Sequence, residues 1–540
     1  MISTARAGAF IFVLCALLRI ALVDRQGLWS DEFFSLAMAT GHSLEHPVDR
    51  AQTLLGDYVE TPVAVAPAAY SRYLQHEVPP SGLRRVVRAV FLSDTNPPLY
   101  YVLLYGWTRA LGAGDAALRL FSVLCSLASF PVFWSLAKRL GGETAAVAAG
   151  ILFAVSPLCV LYATEGRMYA LLVLCSVGTW WLTLRAWDEG PRPVIFALWV
   201  AAGVAGCLTH YFFVFVWLGM VGWLQACPGR FRRALSIAGA LITLVLVLPW
   251  YIHLPESLSE WRVTGYWLSV RPNRYHSIAT PLSLPWSFLS TNAIGGARPF
   301  WDWINAAVFL LLAITSIRKL SLSLSTPPRS LLWVWLLSPC LGLVLFDTLR
   351  GTYASAVPRY ALAGFPAACL IVAVALGHLG RPARALFMAL IIGMCLVGVL
   401  RLYRADARSN EPYAQIAALL TRDANDSDVI LVHSIPSGVT GIARYLEQAG
   451  ASRIGVASWV GQLGRRRVPE DLRALAVGRR RIILVRIHDV GEPAPEESWL
   501  SQNARLVETK TIQSATIQYF TPADSMRFFV STAAAPAAGR

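Results

Sequence analysis

From residue 8 to residue 402 the chain is a succession of apolar runs, each close to the length of a lipid-crossing helix. About 20 mostly apolar residues span the roughly 30 Å hydrocarbon core as a helix. Inside lipid only helices and closed barrels satisfy their own backbone hydrogen bonds. A chain built from such runs is therefore a polytopic α-helical membrane protein. Composition agrees: 56% of the 540 residues are hydrophobic and 15% are charged, against about 25% charged in a soluble domain. No A-x-A-like cleavage site follows the first run, Ala7 to Val23, so it reads as a retained helix rather than a signal peptide.

The basic residues set the orientation. The formal net charge is +15, and the only lysines are Lys138, Lys319 and Lys510. Basic clusters fall between runs at Lys138/Arg139, Arg185/Arg192, Arg230/Arg232/Arg233, Arg318/Lys319/Arg329 and Arg381/Arg384. Cytoplasmic loops carry the Lys/Arg excess. Starting from a cytoplasmic N-terminus, spans near 7–23, 116–137, 144–163, 168–186, 194–209, 212–227, 234–252, 303–317, 331–347, 360–378 and 385–402 put every cluster inside. About eleven transmembrane helices leave the C-terminus outside. The nine cysteines all lie in apolar runs and form no CxxC pattern, so they read as small buried hydrophobes.

The stretch "NPPLYYVLLYGWTRALG" (96–112) is too short for a span and would reverse the charge pattern if counted as one. Pro97-Pro98 suit a helix start, and the stretch reads as an interfacial or re-entrant helix. Before it, Leu83, Val86, Val87, Val90 and Phe91 repeat at helical spacing with Arg84, Arg85 and Arg88 opposite, the pattern of an amphipathic helix lying in the membrane interface. Residues 24–115 form an outer loop with interfacial helices, and 253–302 a second large outer loop. These belong to a membrane domain, 1–403. Beyond it, strand-like runs at 428–433, 453–458 and 481–487 alternate with helical patterns, which predicts an extracytoplasmic α/β domain over 404–530 with a partly parallel sheet. The tail 531–540 reads as disordered.

With that topology, a set of polar residues gathers at the outer ends of the helices: Asp31 and Glu32, Asp94 and Asn96, Arg119, Glu165 and Arg167, His210 and Tyr211, Arg359 and Tyr360. Ionisable residues at membrane depth are costly and mark function. A carboxylate can act as general base on a hydroxyl. A second carboxylate can hold a divalent cation or orient an acceptor. Arginines grip phosphate in bidentate fashion. A hydroxyl attacking a centre whose leaving group is a phosphate describes glycosyl transfer from a lipid-linked phosphosugar.

The motifs carry a resemblance. "LWSDEFFSLA", "NPPLYYVLL", "ALRLFSVLCS", "SPLCVLYATEGRMYALL", "LTHYFF" and "PRYALAGFPA" follow, in order over residues 10 to 400, the motifs of the GT-C glycosyltransferase superfamily. The chain resembles its protein O-mannosyltransferase and aminoarabinose transferase branch, the family 39 type. The resemblance implies a GT-C fold, a polyprenyl-phosphate sugar donor, a glycan, lipid or protein acceptor, and inversion at the anomeric carbon. It implies Asp31 as catalytic base, with Glu32 beside it in second place. It implies Glu165 as a second acidic site, a divalent cation (Mg2+ or Mn2+) held by Asp31 and Glu165, and Arg359 and Tyr360 at the lipid phosphate. Arg167, His210 and Arg119 are further phosphate candidates, and Asp94 and Asn96 candidate substrate contacts. Asn96 stands where the family often has His, so it can hydrogen-bond but not transfer a proton. The implied location is a bacterial inner membrane, with the N-terminus inside and the C-terminal domain outside. Two alternatives remain: a transporter or flippase of lipid-linked sugars, which predicts midplane polar residues and inverted repeats, and a catalytically inactive family member.

Overall fold

In the computed structural model the described residues are 4–47, 51–93, 96–190, 192–257, 268–271, 288, 299–325, 328–404, 411–460, 466–488 and 494–523. The tail 531–540, most of 253–302 and Asp94 lie outside them. The chain divides into two units, one of Met1–Gln26 with Asp94–Arg408, the other of Gly27–Ser93 with Ser409–Arg540. Residues 27–93, expected from sequence in the membrane domain 1–403, group instead with residues 409–540.

The first unit is helical. Each of the eleven expected spans falls on helix. Among the described residues seven helices are long and apolar enough to cross a membrane: Asp115–Val155, Tyr169–Glu189, Arg233–Tyr251, Trp303–Ser325, Leu331–Arg350, Pro358–Gly377 and Arg381–Leu402. Pro193–Cys207 and Phe213–Ala226 are shorter apolar helices. Thr4–Ile20 comes first in the chain. The 41 residues of Asp115–Val155 would make a straight rod of about 60 Å, twice the hydrocarbon thickness. They are two helices joined at Gly142, whose φ of 77° ends the helical backbone just past Lys138 and Arg139. Leu99–Leu111, after Pro97-Pro98, has 13 residues, about 20 Å, too short to cross.

Two breaks shape this unit. Pro157 biases Ser156 to extended backbone, so the helix stops at Val155 and restarts as Pro157–Ala163, with Ser156 Oγ accepting from the Cys159 N–H. Arg19 closes this break from the first helix. Its guanidinium, fully buried, donates to Ser126 Oγ (3.0 Å), to the carbonyls of Cys15, Ala154 and Phe153 (3.1 Å each) and to Cys159 Sγ (3.3 Å). All five N–H groups of an arginine are thereby used. The second break is Pro358–Gly364, a 3-10 turn before the helix Phe365–Gly377. Pro366 has no N–H to give the carbonyl of Leu362, so the α-helical ladder cannot run back through it. The Ala363 carbonyl instead accepts from Ser176 Oγ (2.7 Å) and Trp335 Nε1 (2.8 Å). That anchors the turn to Tyr169–Glu189 and Leu331–Arg350.

The second unit is built on a five-stranded sheet. Its strands are β1 (Val429–His433), β2 (Gly455–Trp459), β3 (Ile482–Arg486), β4 (Ala504–Ile512) and β5 (Ala515–Pro522), in the order β2-β1-β3-β5-β4. β1 pairs parallel with β2 and β3, and β5 pairs antiparallel with β3 and β4. The three expected strands are the parallel ones, each a short apolar run of the kind a doubly covered sheet requires. Residues 27–93 contribute to this unit. Val65 makes an isolated antiparallel bridge to Val456 on β2. Tyr58 OH donates to Ser458 Oγ at 2.7 Å, and Glu60 accepts from the Val460 N–H at 2.8 Å.

The amphipathic helix forms, as Leu83–Ser93, and part of its apolar face is packed inside the unit. Val86, Ala89 and Val90 are buried, and the helix packs on Ser30–Ala39. Two of its arginines face carboxylates rather than headgroups. Arg85 grips Glu77 through two 2.6 Å bonds, and Arg88 grips the buried Asp57 at 2.6 and 2.9 Å. The partner helix covers Val86 and Val90 of the stripe, while Leu83 and Val87 remain exposed.

Candidate functional site

The first unit brings five of the predicted residues into one neighbourhood, with Glu165, Arg167 and His210 buried and Arg359 and Tyr360 half-buried. Glu165 and Arg167, 6% and 5% exposed, sit on the turn between Pro157–Ala163 and Tyr169–Glu189. Gly166 separates them because a side chain there would strike Leu118, whose Cγ lies 2.5 Å from the position of a Cβ. The turn is held by Ser122 Oγ, which donates to the Arg167 carbonyl (3.2 Å). The Arg167 guanidinium donates to Tyr101 OH (3.1 Å) on Leu99–Leu111. That helix is tied in turn to the His210 segment, since the Leu99 N–H donates to the Leu208 carbonyl (2.9 Å).

Arg359 and Tyr360 come from the 3-10 turn. The Arg359 guanidinium lies over the rings of Tyr169 (5.7 Å) and Tyr360 (5.6 Å) and hydrogen-bonds the Tyr162 hydroxyl, which also lies within the field of Glu165. His210 stands among the same rings, 5.9 Å from Tyr169 and 5.7 Å from Tyr360. Its Nδ1 accepts the Phe212 N–H at 3.2 Å, which in the neutral imidazole puts the proton on Nε2. The neighbourhood thus combines two arginines, an imidazole donor and tyrosines around one carboxylate, a set suited to an anion.

Arg119 has another task. It is buried and donates to the carbonyls of Val23 (3.1 Å) and Gln26 (2.6 Å), securing the exit of the first helix. Asn96 is half-buried before Leu99–Leu111. Tyr101, Tyr162, Tyr169 and Arg19 are absent from the sequence-derived set. The tyrosines lie in apolar runs, where aromatics read as span or belt residues. Their only signal is adjacency to "EGRMY" and "NPPLYY".

Asp31 and Glu32 belong to the second unit, at the start of the helix Ser30–Ala39, where a carboxylate is favoured by the helix dipole. The two acids differ sharply. Glu32 is fully buried and its carboxylate turns back to accept the Trp29 N–H (3.3 Å), a capping arrangement. Asp31, between buried Ser30 and buried Glu32, is only half-buried. The structure thus gives Glu32 a local capping task and leaves Asp31 the more accessible of the pair.

Among the described residues no group of three or more His, Cys, Asp and Glu side chains could hold a metal ion. The groups around Glu165 are cationic or phenolic, which does not fit a divalent cation.

Residues 95–253 match the family model for dolichyl-phosphate-mannose-protein mannosyltransferase. No curated protein matches the chain in sequence. Among solved structures the chain is similar to ArnT from Cupriavidus metallidurans in the apo state, with 14% identity, 97% of this chain and 99% of that chain covered, and a TM-score of 0.55. ArnT from the same organism bound to undecaprenyl phosphate aligns at 13% identity over 97% of this chain and 99% of that one, with a TM-score of 0.52. An integral membrane chain with this helical arrangement and an appended α/β sheet thus shares the fold of ArnT and carries the mannosyltransferase family pattern over residues 95–253.

Proposed function

We propose that this protein transfers a sugar from a polyprenyl-phosphate-linked donor to an acceptor hydroxyl at the outer face of a bacterial cytoplasmic membrane, with inversion. The observation that carries the reading is the convergence of Glu165, Arg167, His210, Arg359 and Tyr360, from segments far apart in sequence, into one neighbourhood rich in positive charge and donors. Arg359, Arg167 and the Nε2–H of His210 bind the donor phosphate and stabilise the charge that collects on it as the glycosidic bond breaks. Asp31 takes the proton from the acceptor hydroxyl. The hydroxyl oxygen forms the new bond to the anomeric carbon, the bond from that carbon to the phosphate oxygen breaks, and the polyprenyl phosphate leaves with its electron pair. The family match over residues 95–253 and the fold shared with an undecaprenyl-phosphate-binding ArnT support the donor class.

The test is transfer of label from a panel of radiolabelled undecaprenyl-phosphate sugars to envelope lipid and glycan acceptors by the purified protein. Asp31→Asn is expected to lower transfer roughly 100- to 10,000-fold, and transfer that survives this change overturns the assignment of the base. A thiol placed at Gln415 is expected to react with an impermeant reagent from the outer side. Reaction from the cytoplasm alone overturns the outer-face location.

A further inference from the structure

In open α/β sheets the ligand crevice lies outside the carboxyl ends of the strands, where the strand order reverses. Here β1 lies between β2 and β3, so the crevice falls at the carboxyl ends of β1 and β3. A segment of the chain itself fills that place. Ser30, 4% exposed, has its Oγ 2.9 Å from Ser437 Oγ on the helix that follows β1, 3.1 Å from Nε2 of His488 just beyond β3, and 2.9 Å from Tyr413 OH. The Ser30 N–H donates to Glu411 (2.6 Å), and the other Glu411 oxygen is 2.5 Å from His488 Nε2. His488 reaches this position on a left-handed backbone, φ 57°, a conformation sparse for a residue with a side chain and retained where surroundings fix it.

A helix start leaves its first backbone N–H groups without intrahelical acceptors. Side chains accept from two of them and from the residue before: Leu28 donates to Tyr445 OH (2.6 Å), the N-cap Trp29 to Glu32 (3.3 Å) and Ser30 to Glu411 (2.6 Å). Two of the three acceptors lie about 400 residues further along the chain. The next residue is Asp31.

We infer that the crevice at the ends of β1 and β3 is a positioning site for Asp31: Glu411 and His488 clamp Ser30 and so fix the direction in which the neighbouring carboxylate faces. The inference rests on the reading of Asp31 as general base. Glu411 and His488 are positioning residues, since they act through Ser30. The α/β sheet then serves the reaction by holding the acid, not by binding a substrate at its crevice.

The test uses the full-length protein in lipid nanodiscs. Amide exchange over Ser30–Ala39 is expected to quicken about tenfold in Glu411→Ala and His488→Ala, and to stay at the wild-type rate in Glu411→Gln, which keeps an acceptor for the Ser30 N–H. Sugar transfer is expected to fall about tenfold in the two alanine variants, with affinity for undecaprenyl phosphate unchanged. Unchanged exchange in both alanine variants overturns the clamp, as does loss of undecaprenyl phosphate binding in parallel with transfer, which indicates general damage. If Asp31→Asn transfers normally, the reading of the base fails, and the exchange rates still decide whether Ser30 is clamped.

Discussion

Arg19 and Arg88 show two ways of holding an arginine. In the membrane unit Arg19 is held by three carbonyls, a hydroxyl and a thiol, and no carboxylate is among its partners. Two of those carbonyls end the helix Asp115–Val155, where a positive charge is favoured by the helix dipole. In the α/β unit Arg88 is held by the buried carboxylate of Asp57, as Arg480 and Arg481 are by Asp428. The difference teaches that a buried arginine inside the helical unit can be held by neutral dipoles alone, whereas Arg88 is held by an opposite charge. The first device does not titrate in the acid range; the second does.

The comparison breaks most readily at Arg19. Arg19→Met leaves the carbonyls of Phe153 and Ala154 without their donors in a dry interior and is expected to cost about 3 kcal/mol or more. Detergent-solubilised protein would then be recovered in low yield with a lowered thermal midpoint. Arg19→Lys, with three donors in place of five, is expected to recover only part of the loss. A normal midpoint in Arg19→Met would show that the break at Ser156 holds itself.

Next in size is the removal of a charge from the candidate anion site. Arg359→Ala is expected to weaken binding of undecaprenyl phosphate roughly 10- to 100-fold, the value of one charge-assisted contact. Isothermal titration in nanodiscs measures it. A comparable weakening in Arg88→Ala would remove the distinction between the two units.

Within the α/β unit Asp57→Asn is expected to cost roughly 1–2 kcal/mol, because the amide keeps one acceptor for Arg88 but loses the charge. Burial alone would raise the Asp57 carboxyl, but the hydrogen bonds from Arg88 and the Gln52 N–H outweigh it and hold the group below the usual carboxylate range. A depressed value contributes stability above the unfolded pKa of about 3.9, and loses it as pH falls through the folded value.

His42 titrates earlier. Burial, reinforced by the Arg85 charge, lowers it from 6.5 to about 4 despite Glu77 beside it, and Arg72 adds to the lowering. The folded unit therefore binds fewer protons than the unfolded chain. The stability this contributes is complete above about pH 6.5 and is lost as pH falls toward 4. The thermal midpoint of the α/β unit is expected to decline over that interval before the carboxylates protonate. His42→Gln flattens the decline, and an unaltered profile in that variant would assign it to another group. The smallest expected effect is at Lys510, whose pairing with Asp423 is half-exposed at the surface. Lys510→Ala should leave the midpoint unchanged.

Apolar length and basic loops placed the spans because in lipid each segment must satisfy its backbone alone, so the signal is local. The parallel strands β1 to β3 were legible as short apolar runs between turn signals. β4 was not: as an edge strand it is largely exposed and polar, "ARLVETKTI", and nothing in its own composition announces a partner. The same limit applies at the site. Glu165, Arg167, His210 and Arg359 stood out as ionisable residues at helix ends. Tyr162, Tyr169 and Tyr101 did not, because a phenol that holds an arginine looks in sequence like any other aromatic in a span. Motif register ranked Asp31 before Glu32, and the helix start separates the two acids by burial. The grouping of 27–93 with 409–540 rests on contacts such as Tyr58 with Ser458 and Ser30 with Glu411, separated by hundreds of residues and invisible to any local pattern.

That grouping has a consequence for how the molecule is made. Residues 27–93 leave the ribosome early, and most of their tertiary partners follow residue 408. At about 5–20 residues per second, the intervening 315 residues (94 to 408) take roughly 15–60 s to synthesise. Through that interval the segment bearing Asp31 waits without β1, β3, Glu411 or His488. A chain that stops short of the sheet can insert its helices, yet residues 27–93 then lack the strands and side chains they pack on, so residues beyond 408 decide whether this early segment folds.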